Sequence, residues 1–330
     1  MKKLHIGVFS NNYQSAGALY RTTGPFKHLQ RTDDRFEIKF LRQDELNFLE
    51  YIDLDAIVLK NFTNTKVVLA QEAGLKVIID IDDDNFNIQP DNPMYDYYSS
   101  TVVKEDTREA YHHADMIMVT TWDLAKAVQE QMHITDHHKV KVVPNAIDAR
   151  WFHSTERGKT KAITWRGGNS HFKDTFKVTK DLHMFLEENP YIVVSYGFKP
   201  FYWQEMFQKF YKHYDYKPFD EYIRKLQLNG AEIGIVPLED NLFNRSKSNI
   251  AWLELAMTGH IVIAKDLPEF QKPGVITYTD SMYEALIGVT KMYDDHKRSI
   301  VRESRDYILE NYTLDRVNEV RGDLLSALLS

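Results

Sequence analysis

The side chains best placed to do chemistry crowd the stretch Gly234–Ala264, GIVPLEDNLFNRSKSNIAWLELAMTGHIVIA, where a polar loop separates two apolar runs. Asn244, Arg245 and Lys247 load that loop with donors, and Ser248 and Asn249 precede a helical pattern carried by Ile250, Leu253 and Met257. Ser248 stands where an N-cap belongs, and Gly259 closes the helix. Free backbone N–H groups at such a helix start, beside Lys247, suit a diphosphate. Glu254 lies six residues beyond Ser248, roughly 9 Å along the axis at about 1.5 Å per residue. That span matches the distance from a diphosphate to its ribose.

A second cation-bearing turn follows the apolar run Ala162–Trp165 and reads Arg166, Gly167, Gly168, Asn169, Ser170, His171, Phe172, Lys173. Its glycines let the backbone approach a ligand, Arg166 and Lys173 could neutralise two phosphates, and Asn169 or Ser170 could cap the next helix. A capped turn with incidental surface cations reads from the same residues. Two cationic loops at strand ends of one sheet, however, would face one crevice.

In the first half of the chain, IDIDDD sets Asp80, Asp82, Asp83 and Asp84 at the end of the run LKVII. Carboxylates so crowded repel one another unless cations, hydrogen-bond donors or a polar substrate offset the repulsion. Asp-x-Asp suits Mg²⁺ or Mn²⁺ bridging a diphosphate. The phosphate-grade loops lie in the other half, so acceptor binding by Asp82 and Asp84 is preferred and no metal ligand is assigned. The first apolar run leads into Asn11–Leu29, where Ser15-Ala16-Gly17 forms a small-residue turn before a helix carrying Arg21. No G-x-G-x-x-G spacing supports dinucleotide binding there. Arg21 could grip an anionic or hydroxyl-rich group, or be an ordinary surface arginine.

These residues need a scaffold of two domains, which 330 residues allow. Short β-rich runs alternate with helical patterns at Leu4–Ser10, Phe36–Leu41, Ala56–Lys60, Leu75–Ile81, Met116–Thr120 and Lys139–Val143. After a polar segment near Ser154–Lys161 the rhythm restarts at Ala162–Trp165, Tyr191–Tyr196, Glu232–Val236, His260–Ala264 and Val275–Tyr278. The pattern predicts α/β architecture, two doubly wound parallel sheets facing a cleft. Pro144 and Asn145 in VVPNAID, Val142–Asp148, mark the linker. The expected division is 1–147, 148–310, and a final helix, 311–330, returning to the first domain.

Composition excludes several alternatives. The charge of −7, from 41 Lys and Arg against 48 Asp and Glu, gives no global positive field for nucleic acid or anionic lipid. Zero cysteines exclude disulfides, thiolate zinc sites and thiol nucleophiles, and fit a cytoplasmic protein. The apolar stretch in MKKLHIGVFS is too short for a signal-peptide core, and no run approaches the roughly 20 residues of a membrane span, so a soluble protein is expected. The thirteen histidines, His112-His113 and His137-His138 among them, lack metal-ligand spacing and read as solvated or packing residues. Lys199–Lys225 holds ten aromatics among lysines. It reads mainly as aromatic helices packing a core, with a surface that stacks on sugars or bases as the other reading.

Three separated motifs together resemble the two-Rossmann-domain GT-B glycosyltransferases, close to the group-1 or family-4-like enzymes. VVPNAID resembles that family's interdomain VxPNGxD segment, WRGGNSHFKD its glycine-rich phosphate turn, and PLEDNLFNRSKSNIAWLELAMTGHIVIA its donor-binding loop and helix. The resemblance implies that Glu254 bonds the donor ribose, that Arg166 and Lys173 contact the diphosphate, and that Ser248 and Asn249 present backbone N–H groups to it. Gly17, Gly167, Asn244 and Lys247 join the same donor site. Two departures stand out. The family's first glutamate, separated from the second by seven intervening residues, is Ser246 here, and the glycine of PNG is Ala146.

The implied reaction moves a sugar from a UDP- or GDP-sugar to a hydroxyl acceptor. No cofactor or metal is required, although Mg or Mn remains compatible. With the family's usual retention the leaving phosphate takes the acceptor proton; under inversion Asp82 or Asp83 is the candidate base. The acceptor is a saccharide, a lipid-linked molecule or a hydroxylated base in DNA. Two other classes stay open: a nucleotide-sugar-binding module without turnover, and a sugar-nucleotide epimerase or hydrolase. Oligomeric state is not legible.

Overall fold

Residues 3–132, 137–153 and 157–330 are described by a computed structural model. They build two six-stranded sheets in which each strand pairs in parallel with its neighbours. Readings that touch Ser154–Glu156 or the His137 side chain lie outside the described residues.

The first sheet contains β1 (Leu4–Phe9), β2 (Phe36–Leu41), β3 (Ala56–Leu59), β4 (Lys76–Ile81), β5 (Met116–Val119) and β6 (Val140–Val142), in the order β2-β1-β3-β4-β5-β6. The second contains β7 (Thr160–Gly167), β8 (Ile192–Gly197), β9 (Tyr211–Tyr214), β10 (Ala231–Val236), β11 (Ile261–Lys265) and β12 (Val275–Tyr278), in the order β12-β11-β10-β7-β8-β9. Strands covered by helices on both faces must be apolar throughout, and AIVL in β3 and MIMV in β5 are buried at every position.

In each sheet the chain first winds one way and then reverses. The reversal falls between β1 and β3 in the first sheet and between β7 and β10 in the second. Loops leaving the carboxyl ends of strands at such a reversal diverge to opposite faces and leave a crevice, the usual ligand position in open α/β sheets. The sequence places its polar motifs there: Asn11–Gly17 after β1, Arg166–His171 at the end of β7, and Pro237–Lys247 after β10.

The halves are joined by more than the linker. Thr313 pairs with Ile147, and the helix Leu314–Leu328 then lays Leu314, Val317 and Leu325 into the core formed by Ile6, Val8, Phe26 and Phe36. One strand was not legible in the sequence. Lys199–Lys225 forms a helix, Phe201–Phe207, the strand β9 and most of a second helix, Phe219–Asn229, in place of helices alone. Tyr202, Trp203, Phe207 and Tyr211 from this stretch pack against Trp165 and Val193 in the core.

Candidate functional site

The helix that leaves β1 begins at Ala16, with Ser15 Oγ accepting the Ala18 N–H at 3.1 Å. It widens to a π-helical turn over Leu19–Thr23 before the regular helix Gly24–Thr32. Wider turns of this kind gather at functional sites because they re-aim consecutive side chains. Here Tyr20 and Arg21 are both buried, yet they serve different partners.

Arg21 corrects an expectation. Its guanidinium grips Asp80 with Nε and Nη2, each at 2.8 Å, and Nη1 donates to the Val143 carbonyl at 2.6 Å and to Asn145 Oδ1 at 3.3 Å. Both members of the pair are fully buried. Arg21 therefore ties the first helix to β4 and the linker from beneath, with no surface for an acceptor. The repulsion inferred for IDIDDD is relieved by several partners: Arg21 on Asp80, Lys60 on Asp82, and Lys247 Nζ on Asp83 at 3.2 Å.

Tyr20 crosses to the other half and donates to Glu254 Oε1 at 2.5 Å. Glu254 Oε2 accepts the Tyr222 hydroxyl at 2.8 Å and lies 2.6 Å from Arg166 Nε. Burial and then the Glu254 charge lift Tyr20 well above the ordinary phenol range, and Tyr222 likewise. Both are neutral donors. Burial alone would favour losing the Arg166 proton, but Glu254 and the two tyrosines outweigh it and hold the guanidinium charged. Glu254 itself is buried and does not line the cavity described next. The sequence assigned it directly to a ribose; in the structure its carboxylate is already occupied by Tyr20, Tyr222 and Arg166.

A cavity of about 250 Å³ lies between the halves. Arg166, Lys247 and Ser248 give it positive charge and the start of the helix Ile250–Met257, while Asp82, Asp83 and Gly17 face it from the first domain. Gly17 has little room for change, since a Cβ there would sit 3.3 Å from Asp82 Oδ2. Pro237, Leu238 and Phe270 form an apolar side. A second cavity of about 590 Å³ adjoins it within the first domain, and Asp82, Asp83, Ser170 and Lys247 border both. Two further hydrogen bonds cross between the halves beside Lys247–Asp83 and Tyr20–Glu254. Thr121 Oγ1 donates to the Ser246 carbonyl at 2.9 Å, and Asn145 Nδ2 to Ser248 Oγ at 2.8 Å.

Several expected residues stand elsewhere. Ser248 does not cap the helix, whose N-cap position is Asn249 without a side-chain bond. Asn249 turns its amide to Glu269 at 3.2 Å, and Asn244 bonds Asp174 at 2.9 Å; neither lines the cavity. Lys173 also points away, paired with Glu239 at 3.3 Å. Gly167 is a packing glycine, since a Cβ there would come within 2.6 Å of the Trp165 ring. Asp84 is buried over its own turn, accepting from Asn87 at 2.7 Å, and burial raises its pKa. Burial would also raise Asp82, but Lys60, Arg21 and Lys247 outweigh it and hold this carboxyl below its ordinary range. A carboxylate so held is a weak base.

The sequence missed Tyr20, Tyr222 and His171. No local pattern marks the tyrosines, because each works only after distant segments meet. His171 lines the cavity, and its Nδ1 lies 2.8 Å from Asp174 Oδ2. Asp174 in turn accepts from Glu239 N at 2.8 Å and Asn244 Nδ2 at 2.9 Å. The i, i+3 spacing of His171 and Asp174 was the available signal. Among the described residues no three His, Cys, Asp or Glu side chains converge as a metal site.

No family model matches the chain, and neither does any curated protein. Solved structures do. A glycosyltransferase from Rickettsia africae superposes with a TM-score of 0.68 at 10% identity over 100% of both chains. The chain has the GT-B fold. Anabaena HepE in complex with UDP and glucose shares it with a TM-score of 0.67 at 11% identity, covering 98% of this chain and 100% of its own. An alpha-glucosyltransferase in complex with UDP-glucose and DNA containing an abasic site shares it with a TM-score of 0.68 at 11% identity, over 98% of this chain and 100% of that one. The GT-B arrangement accounts for the paired crevices, since each sheet contributes one reversal point to a common cleft. No helix of the described residues is long and apolar enough to cross a membrane.

Proposed function

We propose that the chain is a glycosyltransferase that moves a hexose from a UDP-sugar to a hydroxyl acceptor without a metal ion. The observation that carries this reading is the opposition across one cavity of Arg166, Lys247 and Ser248 on one side and Asp82 and Asp83 on the other. The cationic side suits the diphosphate and stabilises the charge that develops as it leaves. The apolar side at Pro237, Leu238 and Phe270 suits the base, and Glu254 takes a ribose hydroxyl in exchange for Tyr20. The similar structures, which hold UDP or UDP-glucose, support this choice of donor.

Retention of configuration is part of the proposal. Asp82 is held ionised by Lys60, and Asp83 is paired with Lys247, so neither is poised to remove a proton. The leaving phosphate does so instead: the bond from anomeric carbon to phosphate oxygen breaks, the bond to the acceptor oxygen forms, and the acceptor proton passes to the phosphate. His171, oriented by Asp174, donates a hydrogen bond to the same diphosphate. Thermal-shift measurements with UDP, GDP, ADP and UDP-glucose, each in EDTA and in Mn²⁺, test the donor assignment. Stabilisation by UDP and UDP-glucose in EDTA is expected; stabilisation by none of the nucleotides would refute the reading.

A further inference from the structure

We infer that the acceptor is a neutral saccharide seated in the first-domain cavity against Tyr97, an inference that rests on the glycosyltransferase reading above. The cavity, at about 590 Å³, has ample room for a sugar ring, and it meets the donor cavity at Asp82 and Asp83, where transfer would occur. Its walls carry the amides of Asn11, Asn61, Asn85, Asn92 and Asn169. An amide both donates and accepts, which matches the two-way hydrogen bonding of a sugar hydroxyl. Tyr97 is 52% exposed on the same wall, with its ring packed edge-on against Tyr98 at a centroid distance of 4.9 Å. A large aromatic left half in solvent beside a polar cavity offers an apolar surface for the C–H side of a pyranose.

The charges argue against nucleic acid. Affinity for a polynucleotide comes largely from Lys and Arg on its phosphates. Among the described residues no arginine lines this cavity, and of its three lysines Lys247 belongs to the donor diphosphate in the proposed function. Lys60 bonds Asp82 and Lys247 bonds Asp83, while Lys66 donates to the Asn61 carbonyl at 3.0 Å and sits 4.6 Å above the Phe9 ring. Asp80, Asp82, Asp83 and Asp106 line it as well, four carboxylates against three ammonium groups. A phosphodiester entering here faces more carboxylates than ammonium groups.

The test supplies UDP-glucose as donor and compares a panel of neutral oligosaccharides with duplex DNA bearing hydroxymethylated bases. Glucose transfer to a saccharide is expected, with Tyr97→Ala raising the acceptor KM about fivefold to tenfold, the scale of one aromatic contact. Tyr97→Phe should restore the wild-type value, and UDP affinity should stay unchanged in both variants. Transfer to the DNA, transfer to no saccharide, or an unmoved acceptor KM in Tyr97→Ala overturns the inference. Absence of UDP-glucose binding in calorimetry is a different result and overturns the underlying reading instead.

Discussion

The Tyr20 hydroxyl, carried by the first helix of the N-terminal half, is donated across the domain boundary to Glu254 Oε1 at 2.5 Å, and both residues are buried. In the proposed function this oxygen passes to a ribose hydroxyl when the nucleotide enters, so Tyr20 and the ribose compete for it. Tyr20→Phe should therefore tighten UDP binding. The same change should destabilise the free protein by about 1.5–3 kcal/mol, the scale of a hydrogen bond to a charged group. Calorimetric titration with UDP and a denaturant melt check the two halves of the prediction. Weaker UDP binding by the folded variant would make Tyr20 a part of the nucleotide site.

The two candidate phosphate lysines separate in the structure, and their variants should separate in affinity. Lys247 borders both cavities, whereas Lys173 pairs with Glu239 outside them. Lys247→Gln should weaken UDP binding tenfold or more, since a charge-assisted hydrogen bond to phosphate contributes about 1.5–3 kcal/mol. Lys173→Gln should change it less than about twofold, as expected for an exposed ion pair. Equal losses in the two variants would restore the sequence-based role of Lys173.

Arg21 and Asp80 form a buried pair, and removing one member leaves the other charge uncompensated. Arg21→Met should cost about 3–5 kcal/mol of stability. Urea unfolding measures this directly. A loss of acceptor affinity at unchanged stability would instead return Arg21 to the role its position after Gly17 suggested.

That contrast shows how far the sequence reaches. The apolar runs of β3 and β5 declare a parallel sheet because burial on both faces demands uninterrupted apolar residues. β9 escaped because Tyr211–Tyr214, YKHY, is short and lies in a run whose aromatics also fit a helical period. Arg166, Lys247, Ser248 and Gly17 were legible from their loops at strand ends, and they do line one cavity. Lys173 and Asn244 were chosen by the same logic, but loop direction decides where a side chain points, and local sequence does not encode it. Tyr20, Tyr222 and Glu254 meet across separations of 234 and 32 residues, so their cluster exists only in the folded chain.

His260 should make the protein sensitive to acid. It is buried, with Nδ1 3.0 Å from both the Leu255 carbonyl and Thr258 Oγ1, and burial lowers its pKa from 6.5 to about 4. Between those values the unfolded chain holds a proton that the folded chain does not, so stability falls as pH drops through that window. The fully developed loss is about 3 kcal/mol. Urea melts at neutral pH and near pH 5 should show part of this loss in the wild type and less of it in His260→Gln. Equal acid sensitivity in the two proteins would place the effect elsewhere.

The central claim is that protein cations, Arg166 and Lys247 first among them, hold the diphosphate of a nucleotide sugar in the interdomain cavity. Isothermal titration of UDP-glucose into the protein in EDTA tests it most directly. The account predicts saturable binding of one UDP-glucose per chain, with an affinity that added Mn²⁺ leaves unchanged. Binding that appears only when Mn²⁺ is supplied, or no binding under either condition, would contradict it.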